Sequence, residues 1–147
     1  MKIEIANPPN FERIVAAFPK ATDKGVIFAY GDTIYNPSGV NVPPALLAHE
    51  EVHGQRQQSV GYAPNRLNAD VWWEKYITDP EFRYYEELPA HAAEYKAQLR
   101  HVKDRNDRAK LALSTAQRLL APLYNYGVPK SLNQAICDLR WAIEKKW

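Results

Sequence analysis

The sequence is poor in cysteine and has no long hydrophobic run. Among its 147 residues only Cys137 is a cysteine, which excludes an internal disulfide and any zinc site built from several thiolates. Because Cys137 falls on the apolar stripe of a predicted helix, we expect a small buried side chain there. No apolar stretch reaches the roughly 18 residues that span a bilayer, and residues 1–6 are too short and too charged for a signal peptide. We therefore expect a cytoplasmic protein that does not bind membranes.

A strong excess of charge of one sign is missing as well. The 19 basic and 17 acidic residues give a formal net charge of +2, and Asp104 and Asp107 interrupt the basic residues between 96 and 110. This balance predicts no nucleic-acid partner and no anionic membrane surface. The charged fraction of 24% is that of an ordinary globular protein, and the length fits a single domain over residues 1–147.

The pattern of apolar residues predicts an α+β fold in which a small sheet precedes several helices. Residues 2–6 alternate like a strand, and two β-branched and aromatic runs within 25–36 flank Gly31-Asp32, which indicates a hairpin. Apolar residues then recur with helical spacing, and the predicted helices cover residues 11–18, 45–58, 71–77, 79–104, 109–123 and 132–143, with the break between the last two at Gly127-Val128-Pro129. Pro89 falls inside the fourth of these helices, so we expect a boundary near Leu88.

The residues that carry chemistry lie on the second predicted helix. His49 and His53 are four residues apart, which places both imidazoles on one helix face, one turn apart. Two imidazoles so placed can bind one zinc ion, and Glu50 can then act on a water at that ion as a general base. This is the H-E-x-x-H pattern of zinc peptidases. The alternative is a helix whose two histidines have no metal.

This segment resembles the active helix of the zincin metallopeptidases, and a second segment from Glu86 to Glu94 resembles the second metal-binding helix of their gluzincin branch. The resemblance to compact minigluzincin-like domains covers roughly residues 25–95. It implies a single zincin-like domain with Zn²⁺ bound by His49, His53 and Glu87. The metzincin branch is excluded, because its additional glycine and histidine are replaced here by Arg56 and Ser59.

Other residues compete for the third metal ligand and for supporting roles. His91, Glu86 and Glu94 are alternatives to Glu87 as the ligand. If Glu87 binds the metal, His91 lies one turn later and is a candidate catalytic residue that orients a ligand histidine or donates to a developing oxyanion. Further candidate oxyanion donors and pocket residues are Tyr84, Tyr85, Tyr95 and the pair Trp72-Trp73, although core packing is the more ordinary role for these aromatic residues.

The sequence thus predicts a zinc-dependent metallopeptidase that cleaves a peptide or protein substrate, with Glu50 as general base. Thr33-Ile34-Tyr35 is predicted to form a sheet edge beside the metal helix, to which an extended substrate could add as a strand. Two alternatives remain open at this point. One is a metal-dependent amidase that acts on a non-protein substrate, and the other is a catalytically inactive zincin-fold protein whose zinc only stabilises a small core.

Overall fold

The computed structural model describes residues 1–59, 68–120 and 131–145. Within this part of the chain the fold is α+β, as the sequence pattern predicts, with three strands and six α-helices. In the described ranges no helix is both long enough and apolar enough to cross a membrane.

The three strands form one small sheet in the order β1-β3-β2. Strand β1 (Lys2–Glu4) pairs in parallel with β3 (Thr33–Tyr35), and β2 (Phe28–Tyr30) pairs antiparallel with β3. The predicted hairpin is therefore confirmed, and its turn uses Gly31 at a φ of +61°, a conformation that a glycine adopts without strain. The prediction that Thr33–Tyr35 lies at the edge beside the metal helix is wrong. That position belongs to β2, because β1 covers the other side of β3.

Four of the helices begin and end within two residues of the predicted boundaries, but the helix predicted over 79–104 ends at Leu99 rather than near Asp104, and the one predicted over 109–123 covers Arg105–Arg118. A 3₁₀ turn at Pro19–Thr22 follows the first helix. The α-helices are α1 (Phe11–Ala17), α2 (Pro44–Ser59), α3 (Ala69–Thr78), α4 (Pro80–Leu99), α5 (Arg105–Arg118) and α6 (Leu132–Glu144). The end of the predicted helix 109–123 and the break at Gly127-Val128-Pro129 lie outside the described residues.

Helix α4 continues through Pro89, so the predicted boundary near Leu88 is wrong. The helix starts firmly, since the Asp79 side chain accepts hydrogen bonds from two free backbone N–H groups of its first turn. An internal proline costs a helix about 3 kcal/mol, which is offset here because the residues around Pro89 are buried against neighbouring helices. The consequence for the site is that Glu87 and His91 remain one turn apart on the same face.

The core consists of two clusters of buried side chains. One joins α4, α5 and α6 through residues such as Leu88, Leu119 and Leu139. The other joins α1, β2 and α3 and is mainly aromatic, with Phe28 and Trp72 among its members. Cys137 belongs to neither cluster and is exposed, which corrects the expectation of a buried thiol, because α6 turns its Ala135–Leu139–Ala142 face to the core.

Candidate metal centre

Helices α2 and α4 pack side by side and bring the predicted ligands together in the protein interior. His49, His53 and Glu87 are all buried. The Nε2 atoms of the two histidines lie 3.1 Å apart. One carboxylate oxygen of Glu87 lies 3.3 Å from Nε2 of His49, and the other lies 3.2 Å from Nε2 of His53. The three side chains thus direct their ligand atoms at one point.

These distances are compatible with one metal ion bound among the three side chains. Zinc binds imidazole and carboxylate at about 2.0–2.1 Å, so that neighbouring ligand atoms of a tetrahedron lie about 3.3 Å apart. The two nitrogens are separated by 3.1 Å, and each nitrogen lies 3.2 or 3.3 Å from a different oxygen of Glu87. Two neutral imidazoles and one carboxylate, with a fourth position left for water, are the donor set of many catalytic zinc sites.

Glu50 follows the first ligand histidine and is buried beside the three ligand residues. Its Oε2 accepts a hydrogen bond of 2.9 Å from the backbone N–H of Ala29, in the edge strand β2. Burial raises the pKa of Glu50, although electrostatic interactions with the neighbouring imidazoles oppose this effect. A carboxylate with a raised pKa is suited to take up and return a proton near neutral pH.

Glu86, an alternative third ligand, is committed to other partners. Its carboxylate accepts hydrogen bonds from the Arg56 guanidinium at 2.5 and 2.7 Å and from the Trp72 indole N–H at 2.8 Å. Arg56 thus holds Glu86 away from the two histidines. Because Glu86 and Glu87 are neighbours on one helix, their side chains project in different directions, and the geometry favours Glu87 as the ligand.

Glu94 and His91 form a second group beside the first. Oε2 of Glu94 lies 3.0 Å from Nδ1 of His91 and 3.4 Å from Nδ1 of His49. The other Glu94 oxygen accepts a hydrogen bond of 2.7 Å from Arg118 of α5. The atoms of His49, His91 and Glu94 are close enough to hold a metal among themselves, but Arg118 already neutralises the Glu94 carboxylate. This arrangement favours Glu94 and His91 as supports for His49 rather than as primary ligands.

The ionisable side chains of the site shift one another's pKa values. Burial alone would lower the pKa of His49, yet the carboxylates of Glu87 and Glu94 raise it to about 10. Burial would raise the pKa of Glu87, but His53 and His49 hold it well below its usual range. The pKa of His91 is lowered, mainly by burial. Without a metal, the two carboxylates therefore retain a proton on His49, and a metal ion would replace it.

Sequence reasoning missed one residue of the site, Tyr76 of α3. Its hydroxyl donates a hydrogen bond of 2.5 Å to Oε1 of Glu87, the oxygen nearest His53. Its ring stacks on Trp72, and both rings pack against the imidazole of His53. The only signal in the sequence is that Tyr76 lies on the apolar face of a helix. No local pattern distinguishes it from an ordinary core tyrosine.

The tyrosines that the sequence suggested as oxyanion donors lie elsewhere. Tyr84 is fully buried in the other core cluster and donates to Asp138, whereas Tyr85 is 49% exposed. Neither Tyr84, Tyr85 nor Tyr95 lines the cavity beside the metal ligands. Trp72 and Trp73 serve both suggested roles, since they are core residues that also line this cavity.

The cavity has a volume of about 350 Å³ and opens beside the ligands. His49, His53, Glu50 and Glu87 form one wall. The other walls are mainly apolar and come from the C-terminal end of α1, from β2 with the segment before it, and from α3, with Phe18, Val26, Ile27, Phe28 and Trp73 among the lining residues. A volume of this size is at the lower end of the range for small-molecule sites.

The edge of β2 that faces this site is already hydrogen-bonded to side chains. The carbonyl of Ala29 accepts from Trp73 at 3.0 Å and from Gln57 at 2.9 Å, and its N–H donates to Glu50. The Gly31 N–H donates to Gln57 as well. An extended peptide cannot add to β2 at Ala29 unless these side chains move, which removes the basis for the strand-addition prediction.

Comparisons of the chain with protein-family models, with curated proteins and with solved structures gave no significant match. The resemblance to zincins therefore rests on the His49–His53 motif, on Glu87 and on the order of the surrounding elements. Membership of that family stays a prediction.

Proposed function

We propose that this protein is a zinc-dependent hydrolase of amide bonds with a zincin-like fold, and that its substrate is a peptide or protein. The observation that carries the proposal is the convergence of His49, His53 and the Glu87 carboxylate, with 3.1 Å between the two Nε2 atoms and 3.2 or 3.3 Å from each Nε2 to a Glu87 oxygen, a donor set that suits zinc. A buried carboxylate at Glu50 stands beside this group. A zinc that only stabilises the core does not need that carboxylate, which argues against a purely structural site.

His49, His53 and Glu87 would hold the zinc ion, which would supply a positive charge for the substrate carbonyl and lower the pKa of a bound water to about 7. The Glu50 carboxylate would accept a proton from water and return it to the departing amine of the cleaved amide. Tyr76 and His91 hold Glu87 in position from either side, because the hydroxyl binds one carboxylate oxygen and the imidazole lies 3.5 Å from the other.

One observation favours a second candidate, a metal-dependent amidase that acts on a small non-protein amide. The backbone groups of Ala29 that would pair with an extended peptide are bonded to Glu50, Gln57 and Trp73. A small apolar amide fits the cavity without using the edge of β2. The two candidates share the metal centre and differ only in the substrate.

The decisive variant is Glu50→Gln, which removes the base and keeps the shape of the side chain. We expect it to retain about one zinc per chain and to lose at least about 100-fold in turnover, since general acid–base catalysis contributes about 10²–10⁴-fold. Zinc is measured by elemental analysis of protein purified without a metal-affinity tag. Turnover is measured with a mixed library of quenched fluorescent peptides and with a panel of N-acyl amino acid amides.

The matched control is Glu51→Gln, the same change one residue later on α2, where the side chain lies away from the ligand histidines and is only partly buried. It should retain both zinc and turnover. Full activity of Glu50→Gln would refute the mechanism. Cleavage of the amides without cleavage of the peptide library would favour the second candidate.

A further inference from the structure

Strand β1 forms the other edge of the sheet, and apolar side chains are exposed on it and at both of its ends. The first five residues are all exposed. Met1, Ile3 and Ile5 have exposed fractions of 42%, 51% and 76%. Met1 precedes the strand and also packs over Gly54 of α2, and Ile5 follows the strand beside Gly39. Among the described residues no strand pairs with the outer side of β1, and an exposed sheet edge with apolar residues marks an interaction site.

The backbone of β1 is ready to accept another strand. The Lys2 N–H donates to the carbonyl of Asp32, and the carbonyl of Glu4 accepts from Asn36. Lys2 and Glu4 therefore direct their backbone groups toward β3, and Ile3, which lies between them, directs its N–H and C=O away from the sheet. The contrast with β2 is clear, because the outer groups of β2 at Ala29 are bonded to side chains.

The sequence of this edge is complementary to itself. When two copies pair antiparallel about a two-fold axis at Ile3, each Ile3 faces its counterpart, and Lys2 of each chain faces Glu4 of the other. Met1 then lies opposite Ile5. The two Ile3 residues exchange both of their outward backbone hydrogen bonds, as a hydrogen-bonded pair of an antiparallel ladder requires. Apolar residues thus meet apolar residues, and each charge meets its opposite.

We propose that β1 is a homodimer interface, through which two copies of this protein join their sheets into one six-stranded sheet. A charged residue on a short edge strand commonly prevents such pairing. Here the two charges have opposite signs and the spacing that aligns them across a two-fold axis, so they favour it. Five residues on each chain bury less than the roughly 1,200 Å² of a standard stable interface. The dimer is therefore expected to be weak and to form at high micromolar concentration.

The test changes the charges of Lys2 and Glu4, which are exposed, so we expect every variant to fold. Lys2→Glu and Glu4→Lys each place like charges opposite one another at two sites of the dimer, whereas the double variant with both changes restores two opposite-charge pairs. Dimer dissociation constants are measured by sedimentation equilibrium of the full chain between 10 µM and 1 mM. We expect each single variant to weaken the dimer about tenfold and the double variant to recover wild-type affinity.

The matched controls are Arg140→Glu and Glu12→Lys, which make the same changes of net charge at exposed positions on α6 and α1. They should leave the dimer unchanged, and circular dichroism should show the same fold in every variant. A wild-type protein that stays monomeric at 1 mM would overturn the proposal. Equal weakening in the controls, or a double variant as weak as the single variants, would overturn the pairing at β1. None of these results depends on zinc or on catalysis.

Discussion

The neighbouring residues Glu86 and Glu87 of α4 have different partners because their side chains leave the helix in different directions. Glu87 faces the two histidines of α2, and its carboxylate lies within 3.3 Å of both Nε2 atoms. Glu86 faces Arg56 and Trp72 instead and joins α4 to α2 and α3. Both side chains are buried, so burial alone does not identify the candidate ligand. The residues that each carboxylate contacts distinguish Glu87 from Glu86.

The two residues should therefore respond differently to the same substitution. Glu87→Ala should lose most of its zinc, because one of three protein ligands is removed. Glu86→Ala should retain zinc but lose about 1–3 kcal/mol in the free energy of unfolding, because the buried indole N–H of Trp72 loses its acceptor. Zinc content is measured by elemental analysis of the proteins as purified. The free energy of unfolding is measured by urea titration of the metal-free proteins. Undiminished zinc in Glu87→Ala would shift the ligand assignment to His91 or Glu94.

At the scale of elements, the candidate metal site is built by contact between helices that are distant in sequence. Helix α2 contributes the histidines and Glu50, and α4 contributes Glu87, His91 and Glu94. Helix α5 adds Arg118, whose guanidinium lies 2.7 Å from Glu94. This contact matters for the site because the other oxygen of Glu94 approaches His49 and His91. Arg118 is therefore in a position to orient the proposed ligand His49 through one intermediate side chain.

Removal of this support should weaken metal binding without unfolding the protein. We expect Arg118→Met to weaken zinc binding about tenfold, since loss of an outer-shell partner typically costs 10–100-fold. The effect on stability should be small, because the Arg118 side chain is 44% exposed. Zinc affinity is measured by competition with a chromophoric chelator. Lys110→Met, which removes an exposed positive charge from the same helix, is the control and should leave the affinity unchanged.

At the scale of the whole molecule, metal binding, protonation and stability are linked. In the metal-free protein, Glu87 and Glu94 raise the pKa of His49 to about 10. A raised pKa in the folded state means that protonated His49 contributes stability below its unfolded pKa of about 6.5, and that this contribution is lost as the pH rises toward 10. A zinc ion bound at His49, as proposed, would replace this proton, so the stability of the zinc-bound protein would not depend on it.

The stability difference between the zinc-bound and metal-free proteins should therefore widen as the pH rises from about 6.5 to 10. At pH 8, zinc binding should release about one proton from His49. Thermal unfolding with zinc or with a chelator, measured across this pH range, tests the first expectation. Titration calorimetry in two buffers of different ionisation enthalpy tests the second. A difference that stays constant with pH, together with no proton release, would contradict the charge state inferred for His49.

Local patterns were sufficient for the strands and most of the helices, and for the proximity of His49, Glu50 and His53 on α2. Apolar periodicity and turn residues predicted the hairpin and the helices, because these depend on residues close in sequence. The spacing of His49, Glu50 and His53 follows from helix geometry alone. The predicted helix boundary at Pro89 was wrong because it considered only residues close in sequence. It included the free-energy cost of a proline within a helix but not the burial of the surrounding residues, which offsets that cost.

The class of fold and the face of α2 that carries the two histidines follow from local sequence patterns, since a helical repeat sets which side chains share a face. Packing between helices selects the glutamate that meets these histidines, because Glu86 and Glu87 are equivalent until Arg56 and Tyr76 of other helices bind them. The tertiary structure also decided that β2 forms the edge beside the site with its backbone groups already bonded. Strand order and long-range partners depend on how separate elements pack, and no local spacing encodes that packing.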